Sequence, residues 1–296
     1  MYFKTTFLFL YFVHESSANL RNVNVYARHF IEERNYTTLK NVNVNSLKRF
    51  RSLILFKCVV NVLQENDIDD LPVLNQLSIS GVNLEELRPK CFGRLPNLQE
   101  LYLAGNYVKR IPEGVFTNLQ LTTLSLQENR IQGIDAHAFD IGTLQTLDLS
   151  NNKIKDINPD WFVKCMNLTD LNLSLNKLRE IPNSAFKNAR GLGTINLSQN
   201  QLKIIYDHSF FGLENLRLLN LGRNKIKTIE NGALNQLKSL NILQLTDNHL
   251  VCLSDGVLDS FGDGVCVHLE MNKINEICVK KIKDFKLKHP GINIYY

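Results

Sequence analysis

Apolar residues recur along this chain with a period of 23 or 24 residues. Residues 144–167 show the pattern best, because their Leu147 and Leu149 recur one period later as Leu171 and Leu173. In each copy the apolar residues alternate with polar ones, a spacing of two that is typical of a short strand with one buried face. The pattern therefore predicts one short strand per period, with successive strands stacked in parallel.

An asparagine and a phenylalanine recur with the same period. The asparagines follow the strands, where a buried amide needs hydrogen-bond partners, and we expect these to be backbone groups of neighbouring copies. They are Asn106, Asn129, Asn152, Asn176, Asn200, Asn224, Asn248 and Asn272. In the first two copies Cys58 and Val82 take their place, so local hydrogen bonding should differ there. The phenylalanines should fill the convex half of the core, and they are Phe92, Phe116, Phe139, Phe162, Phe186 and Phe210.

Together these positions give L-x-x-L-x-L-x-x-N-x-L, which resembles the leucine-rich repeat superfamily. Copies begin at Phe50, Leu74, Leu98, Leu121, Leu144, Leu168, Leu192, Leu216, Leu240 and Gly264. The resemblance implies an α/β fold, a leucine-rich repeat solenoid (horseshoe) with a parallel concave sheet and about ten repeats of 23–24 residues. We divide the chain into a signal peptide (1–18), an N-terminal cap (19–49), the repeats (50–273) and a C-terminal cap with a helix and a final strand (274–296).

The first 18 residues resemble a secretory signal peptide. A lysine precedes an apolar run over residues 7–13, and small residues end the segment at Ala18. The alternative is a buried first strand or helix. Residues 23–25 and 42–44 alternate as strands do and are expected to form a hairpin over the first repeat. No later stretch is apolar enough to cross a membrane, so we predict a secreted, extracellular protein without a membrane span.

The net charge of +5 is mildly basic, but lysine and arginine are spread through the repeats. We interpret them as a solvated surface and predict no nucleic-acid partner. Near the C-terminus Cys278, Ile282 and Phe285 share one helical face, and five lysines lie largely outside it. This lysine cluster is either a docking patch for an anionic partner or, as we prefer, the solvated face of a capping helix.

The six cysteines have neither the density of a disulfide scaffold nor the spacing of a zinc site. Cys252 and Cys278 lie on the loop sides of the last two repeats, nearly one period apart, and we predict a disulfide between them. Cys165 stands where other repeats have leucine and should be a buried thiol. Cys91 and Cys266 are either free or bridge to another chain, which would give a disulfide-linked dimer; a non-covalent dimer is the alternative.

Four N-glycosylation sequons begin at Asn35, Asn167, Asn172 and Asn196. Asn172 and Asn196 occupy the same outward strand position in consecutive repeats, so glycans there would stand side by side on the concave sheet. Such glycans would shield the middle of the sheet and direct ligand contacts toward its ends or flanks. The alternative is that these sequons are unmodified products of the repeat.

The polar positions between the strand leucines predict a row of outward side chains on the concave face. Its members are Ile54, Ser78, Tyr102, Ser125, Asp148, Asn172, Asn196, Asn220, Gln244 and His268. We predict that ligand is bound by Tyr102, Asp148, Asn220, Gln244 and His268. Aromatic and aliphatic groups are richer at the two ends of the row, where they either form binding hot spots or pack under the caps.

No nucleophile, phosphate-binding or metal-ligand motif appears, and the seven histidines are spread along the chain without ligand spacing. We therefore predict neither an enzyme nor a bound cofactor or metal.

The period, the phenylalanine and the signal peptide make the chain similar to extracellular leucine-rich repeat proteins. These include Toll-like receptor ectodomains, small leucine-rich proteoglycans and secreted insect leucine-rich immune proteins. This resemblance implies a secreted protein that binds a protein or microbial-surface ligand in innate immune recognition. One alternative is a matrix or adhesion protein. The other is an intracellular leucine-rich repeat inhibitor, which would require that the N-terminus is not cleaved.

Overall fold

The computed structural model describes residues 24–27, 50–56, 60–68 and 70–296. The backbone alone is described for residues 24–27 and Phe56. The chain divides into two compact units, Met1–Leu144 and Gln145–Tyr296, which we describe in turn.

Several predictions from the N-terminal sequence lie outside the described residues. They are the signal peptide over 1–18, the cap strand at 42–44, the sequon at Asn35 and the replacement of asparagine by Cys58. They stay predictions, as do the boundaries of the two caps.

The first unit contains one short strand per repeat, followed by shorter strands on the far side of the turn. The strands are β1 (Asn24–Ala27), β2 (Ser52–Phe56), β3 (Val62–Leu63), β4 (Gln76–Ile79), β5 (Glu86–Leu87), β6 (Glu100–Tyr102), β7 (Arg110–Ile111), β8 (Thr123–Ser125) and β9 (Gly133–Ile134). The main sheet has the order β1-β2-β4-β6-β8, and β3–β5 and β7–β9 form separate pairs. Its strands run parallel from β2 onward, whereas β1 joins β2 antiparallel. The alternating segment that begins at residue 23 thus supplies a sheet edge.

The second unit continues the same design with longer helical segments near its end. Its strands are β10 (Thr146–Asp148), β11 (Asp170–Asn172), β12 (Thr194–Asn196), β13 (Ile204–Ile205), β14 (Leu218–Asn220), β15 (Thr228–Ile229), β16 (Ile242–Gln244), β17 (Cys266–His268) and β18 (Asn293–Tyr295). The sheet is parallel throughout, in the order β10-β11-β12-β14-β16-β17-β18, and β13 pairs with β15. A 3₁₀ helix spans Pro159–Phe162, and two α-helices are α1 (Asp255–Leu258) and α2 (Glu276–Lys288). The predicted leucine-rich repeat solenoid with a parallel sheet and about ten turns is confirmed.

The core of each turn lies between its strand leucines and a phenylalanine on the opposite side. Leu147 and Leu149 are fully buried, as are their equivalents in the other turns. The predicted phenylalanines are all buried, and within each unit the rings of successive turns lie against each other. In the second unit the ring of Phe186 lies 5.9 Å from that of Phe162 and 6.3 Å from that of Phe210. Each turn therefore completes its core with side chains of its neighbours, which makes the array cooperative.

The buried asparagines bind the turns to each other through their side-chain amides. In the second unit, Asn224 donates from Nδ2 to the carbonyl oxygens of Leu197 and Leu221, each at 3.0 Å. Its Oδ1 accepts from the backbone N–H of Leu202 at 3.1 Å. Leu197 and Leu202 belong to the preceding turn, so one amide satisfies buried backbone groups in two turns. The predicted partners of these asparagines are thus confirmed.

The second repeat differs, as Val82 at the asparagine position predicts. Asn106 Oδ1 accepts from the backbone N–H groups of both Val82 and Leu84, at 3.0 and 3.1 Å. The Nδ2 of Asn106 donates to the carbonyl oxygens of Ile79 and Leu103. The asparagine of the third repeat therefore compensates for the apolar side chain in the second.

Helix α2 packs on the last repeats through the predicted apolar face. Asn275 caps it by accepting from the N–H of Cys278 at 2.9 Å. Cys278, Ile282 and Phe285 are buried beneath it. Cys278 is also joined to Cys252 by a disulfide, with Cα atoms 5.2 Å apart. The helix is therefore fastened both by its apolar face and covalently.

Replacing both disulfide cysteines, Cys252→Ser with Cys278→Ser, should lower the free energy of unfolding by about 3 kcal/mol. The bond closes a chain segment with a sequence separation of 26, and this closure restricts the unfolded state. Urea denaturation followed by circular dichroism measures the difference. The reduced wild-type protein should show the same loss, and a double variant as stable as the oxidised wild type would contradict the prediction.

Candidate functional site

The outward strand residues form a continuous row within each unit. In the first unit the paired strands place Ile54, Ser78, Tyr102 and Ser125 side by side. In the second unit the paired positions are Asp148, Asn172, Asn196, Asn220, Gln244, His268 and Tyr295. We call the second set the outward row. Tyr295 was not predicted as a member of the row, although a final strand in the C-terminal cap was.

Tyr102 in the first unit belongs to a chain of polar side chains across the sheet. Ser52 donates to Gln76, and Gln76 Nε2 donates to Glu100 Oε2 at 2.9 Å. The hydroxyl of Tyr102 donates to the same oxygen, also at 2.9 Å. Partial burial and the Glu100 carboxylate raise the pKa of Tyr102. Tyr102 therefore presents mainly its ring, because its hydroxyl is already paired.

The middle of the outward row is occupied by a repeated turn. The side-chain oxygens of Asp148, Asn172, Asn196 and Asn220 each accept from the backbone N–H two residues later, at 2.8–3.1 Å. Such contacts are typical of Asx turns. Asp148 and Asn220, predicted as ligand-binding residues, thus use one oxygen to hold the chain as it leaves the strand. Their remaining polar atoms are what they can offer a ligand.

The C-terminal end of the row carries a connected polar cluster. Cys266 Sγ lies 3.3 Å from His268 Nε2, and His268 Nδ1 lies 3.1 Å from Glu270 Oε1. Thr246 Oγ1 donates to Glu270 Oε2 at 3.3 Å. The ring of Tyr295 stacks on that of His268, with centroids 5.1 Å apart. We call Cys266, His268, Glu270 and Tyr295 the C-terminal cluster.

The environment of Glu270 favours its ionised form. Partial burial would raise its pKa, but hydrogen bonds from its own backbone N–H, from His268 and from Thr246 outweigh this effect. The charge of His268 acts in the same direction, and the pKa of Glu270 is lowered overall. A carboxylate in this position orients the imidazole ring.

Of the two alternatives for the ends of the row, binding hot spots or packing under a cap, this end shows features of both. His268 packs against Tyr295 of the final strand, as expected if the end were covered. Met271, however, remains 74% exposed, and Tyr295 is itself half exposed. The final strand therefore extends the row sideways, and the aromatic end is accessible to a ligand.

The three cysteines Cys91, Cys165 and Cys266 differ in their burial. Cys165 is fully buried, as predicted. Cys91 is also buried, and burial raises its pKa to about 12. A bridge from Cys91 to another chain is therefore wrong, because its sulfur is packed inside the repeat. Among the free cysteines of the described residues, Cys266 alone is partly exposed.

Eight basic residues of the second unit follow the asparagine of a repeat by one or three positions, so stacking places them at equivalent positions of successive turns. They are Lys153, Lys155, Lys177, Arg179, Lys203, Lys225, Lys227 and Lys273, and all are exposed. On α2, by contrast, Lys281 pairs with Asp255 at 2.8 Å, as expected for a capping helix.

Within the described residues, no helix has the length and apolarity that a bilayer crossing needs. The same part of the chain holds no group of three or more histidine, cysteine or acidic residues placed to bind a metal. In the C-terminal cluster this follows from geometry. His268 directs its two ring nitrogens to Cys266 and Glu270 in opposite directions, so the three groups do not converge on one point.

Comparison with known proteins agrees with the repeat architecture. The BspA type leucine rich repeat region family matches residues 85–217 in six copies, and a second leucine rich repeat family matches 205–250 and 215–262. Two solved structures share the fold. One is an octameric complex of Latrophilin 3, Unc5D and FLRT2, with a TM-score of 0.67, 22% identity, and 77% of this chain and 72% of that chain covered. The other is a TLR13–ssRNA13 complex, with a TM-score of 0.64, 27% identity, and 72% and 31% covered.

Among curated proteins, human Toll-like receptor 5 is 39% identical over 98 residues, which are 31% of this chain and 11% of that protein. Bovine osteomodulin is 30% identical over 126 residues, or 40% and 29% of the two chains. Human leucine-rich repeat-containing protein 3B is 40% identical over 89 residues, or 29% and 33%. The matched stretch thus spans a third or less of these relatives. The fold, the repeated motif and these matches together show that the chain belongs to the leucine-rich repeat superfamily.

Proposed function

We propose that this protein is a secreted recognition protein that binds a protein ligand across the outward row of its second unit. One observation carries the proposal: the register of the parallel strands aligns Gln244, His268 and Tyr295 as neighbours on one accessible face. Parallel strands lie about 4.8 Å apart, so such a row matches the spacing of groups along another protein's surface.

The physical character of the row supports a protein ligand. Its middle is polar and preorganised by the Asx turns, which reduces the entropy lost on binding. Its end offers the stacked rings of His268 and Tyr295 beside the half-buried Ile242. Aromatic groups at the edge of a polar surface are frequent binding hot spots. The ligand should therefore contact the C-terminal end most strongly.

The relatives suggest two biological settings for such binding. Toll-like receptor 5 supports innate immune recognition, in which the ligand would be a protein or a microbial surface. Osteomodulin supports the alternative of a matrix or adhesion protein. We favour recognition of a protein in the extracellular fluid, because the row offers no feature that is specific to a fibrous matrix.

Export is the part of this proposal that a single experiment tests. Expressed in a eukaryotic host, the chain should appear in the medium, and its intact mass should lack residues 1–18. Peptide N-glycosidase should remove further mass, because Asn196 presents a sequon on the sheet face. A protein that stays in the cells with Met1 intact would contradict secretion and favour the intracellular inhibitor.

The repeat supplies a matched control for the glycan. Asn196 and Asn220 are neighbours in the row and make the same turn, but Asn196 is followed by Leu-Ser and Asn220 by Leu-Gly. Asn196→Gln should remove the mass of one glycan from the secreted protein, whereas Asn220→Gln should leave the glycan mass unchanged. Equal masses in the two variants would exclude a glycan at Asn196.

A further inference from the structure

Three chemically reactive side chains occupy alternate positions in the second unit. Cys266 and His268 project from the same face of strand β17, and Glu270 lies two residues later, in the turn that follows the strand. The thiol is within hydrogen-bond distance of one imidazole nitrogen, and the carboxylate is within that distance of the other. A nucleophile, a base and a group that orients the base are thus arranged in line.

The ring of His268 is held in this position by Glu270 and Tyr295. Glu270 fixes Nδ1, and Thr246 in turn donates to the second oxygen of Glu270. Tyr295 covers one face of the ring, at an interplanar angle of 20°. With the proton on Nδ1 donated to Glu270, Nε2 is left as an acceptor directed at the sulfur of Cys266.

The fold gives no structural need for this arrangement. The equivalent outward positions on β16 are Ile242 and Gln244, which continue the same sheet without any such contacts. Cys91 and Cys165 are buried, and Cys266 is distinguished from them by its partial exposure.

We propose that Cys266 is a base-assisted thiol that undergoes thiol–disulfide exchange with a disulfide on a bound partner protein. The Cys266 S–H bond breaks and its proton passes to His268 Nε2. The sulfur then forms a bond to one sulfur of the partner's disulfide, whose own S–S bond breaks. The departing thiolate takes the proton from His268. One disulfide is consumed and one is formed, so the step needs no external oxidant.

The consequence is a covalent bond at the end of the surface that binds the partner. This inference rests on the proposed extracellular function, because exported proteins carry the disulfides that such a thiol attacks. A partner that docks on the outward row would bring its disulfide next to Cys266 and become trapped there. Contacts across the row would then select the partner, and the new disulfide would make the complex covalent.

The test uses the purified full-length protein and glutathione disulfide at pH 7.4. Mass spectrometry of the peptide that contains Cys266 follows the reaction at this residue alone, so other cysteines do not interfere. Native Cys266 should be glutathionylated at least ~10-fold faster than the same cysteine in urea-denatured protein, because His268 accepts the proton of the thiol and leaves the reactive thiolate. His268→Asn should lower the native rate by ~10-fold.

The matched control is His208→Asn, since His208 is an exposed histidine of the same unit that lies in another turn. It should leave the rate at Cys266 unchanged. Circular dichroism verifies that each variant is folded, and the comparison of native with denatured wild type needs no variant at all. A native rate equal to or below the denatured rate, or an unchanged rate in folded His268→Asn, would overturn the proposal. Neither outcome affects the export measurement, so the two proposals fail separately.

Discussion

Asn224→Ala should lower the free energy of unfolding by about 3–5 kcal/mol. The substitution leaves the buried N–H of Leu202 without its side-chain partner, which costs about 1–3 kcal/mol. The carbonyl oxygens of Leu197 and Leu221 each lose one of two amide donors, since Asn200 and Asn248 remain, and each lost hydrogen bond costs about 0.5–1.5 kcal/mol. Urea denaturation followed by circular dichroism measures the loss.

The control for this substitution is Asn241→Ala, because Asn241 is exposed in the same unit. It should change the free energy of unfolding by less than about 0.5 kcal/mol. If the two substitutions proved equally mild, the amide contacts between turns would not contribute to stability as described.

Phe186→Ala should cost about 3–5 kcal/mol, because it removes a fully buried ring from the stack and leaves a cavity. The loss affects two interfaces between turns, since the ring contacts both Phe162 and Phe210. In a repeat array such damage should broaden the unfolding transition as well as shift it. Thermal and urea unfolding monitored by circular dichroism detect both effects.

The neighbouring residue Phe211 provides the comparison, because its side chain is 39% exposed and lies outside the stack. Phe211→Ala should cost less than about 1 kcal/mol. A Phe186→Ala variant that unfolds like Phe211→Ala would mean that the phenylalanines do not form the core described.

These two positions were predictable from the sequence for a physical reason. A fixed period places equivalent residues in equivalent environments, so the burial of Asn224 and Phe186 follows from that of every other copy. The same logic located Cys252 and Cys278 one turn apart. Periodicity therefore identifies what each turn shares with its neighbours, which is the core and the ladder of asparagines.

The features that distinguish one turn from another were harder to predict. Tyr295 joins the outward row because β18 pairs with β17 after the intervening helix α2. The final strand was predicted, but its register beside β17 was not. The contacts in the C-terminal cluster depend on side-chain rotamers, although the alternation of Cys266, His268 and Glu270 was visible. A search for reactive residues at alternate positions of a strand would have found the cluster.

Composition alone does not show that eight basic residues of the second unit occupy equivalent positions of successive turns. Lys177, Lys203 and Lys227 are far apart along the chain, and composition alone gives a nearly even spread. Stacking at one repeat per turn brings them onto one surface. In a solenoid, charge must therefore be counted by position within the repeat rather than by position along the chain.

The measurement that tests the central claim most directly is the affinity of paired surface variants for a protein ligand. Its probe is the protein that co-purifies with the secreted chain from conditioned medium, and surface plasmon resonance gives Kd. Gln244→Ala with Tyr295→Ala alters the outward row, and Phe211→Ala with Lys238→Ala alters two exposed residues that do not belong to the row. We expect the row variant to bind at least ~10-fold more weakly, a loss of about 1.4 kcal/mol, and the control to bind like wild type. A row variant that binds like wild type, beside a weakened control, would contradict recognition through the outward row.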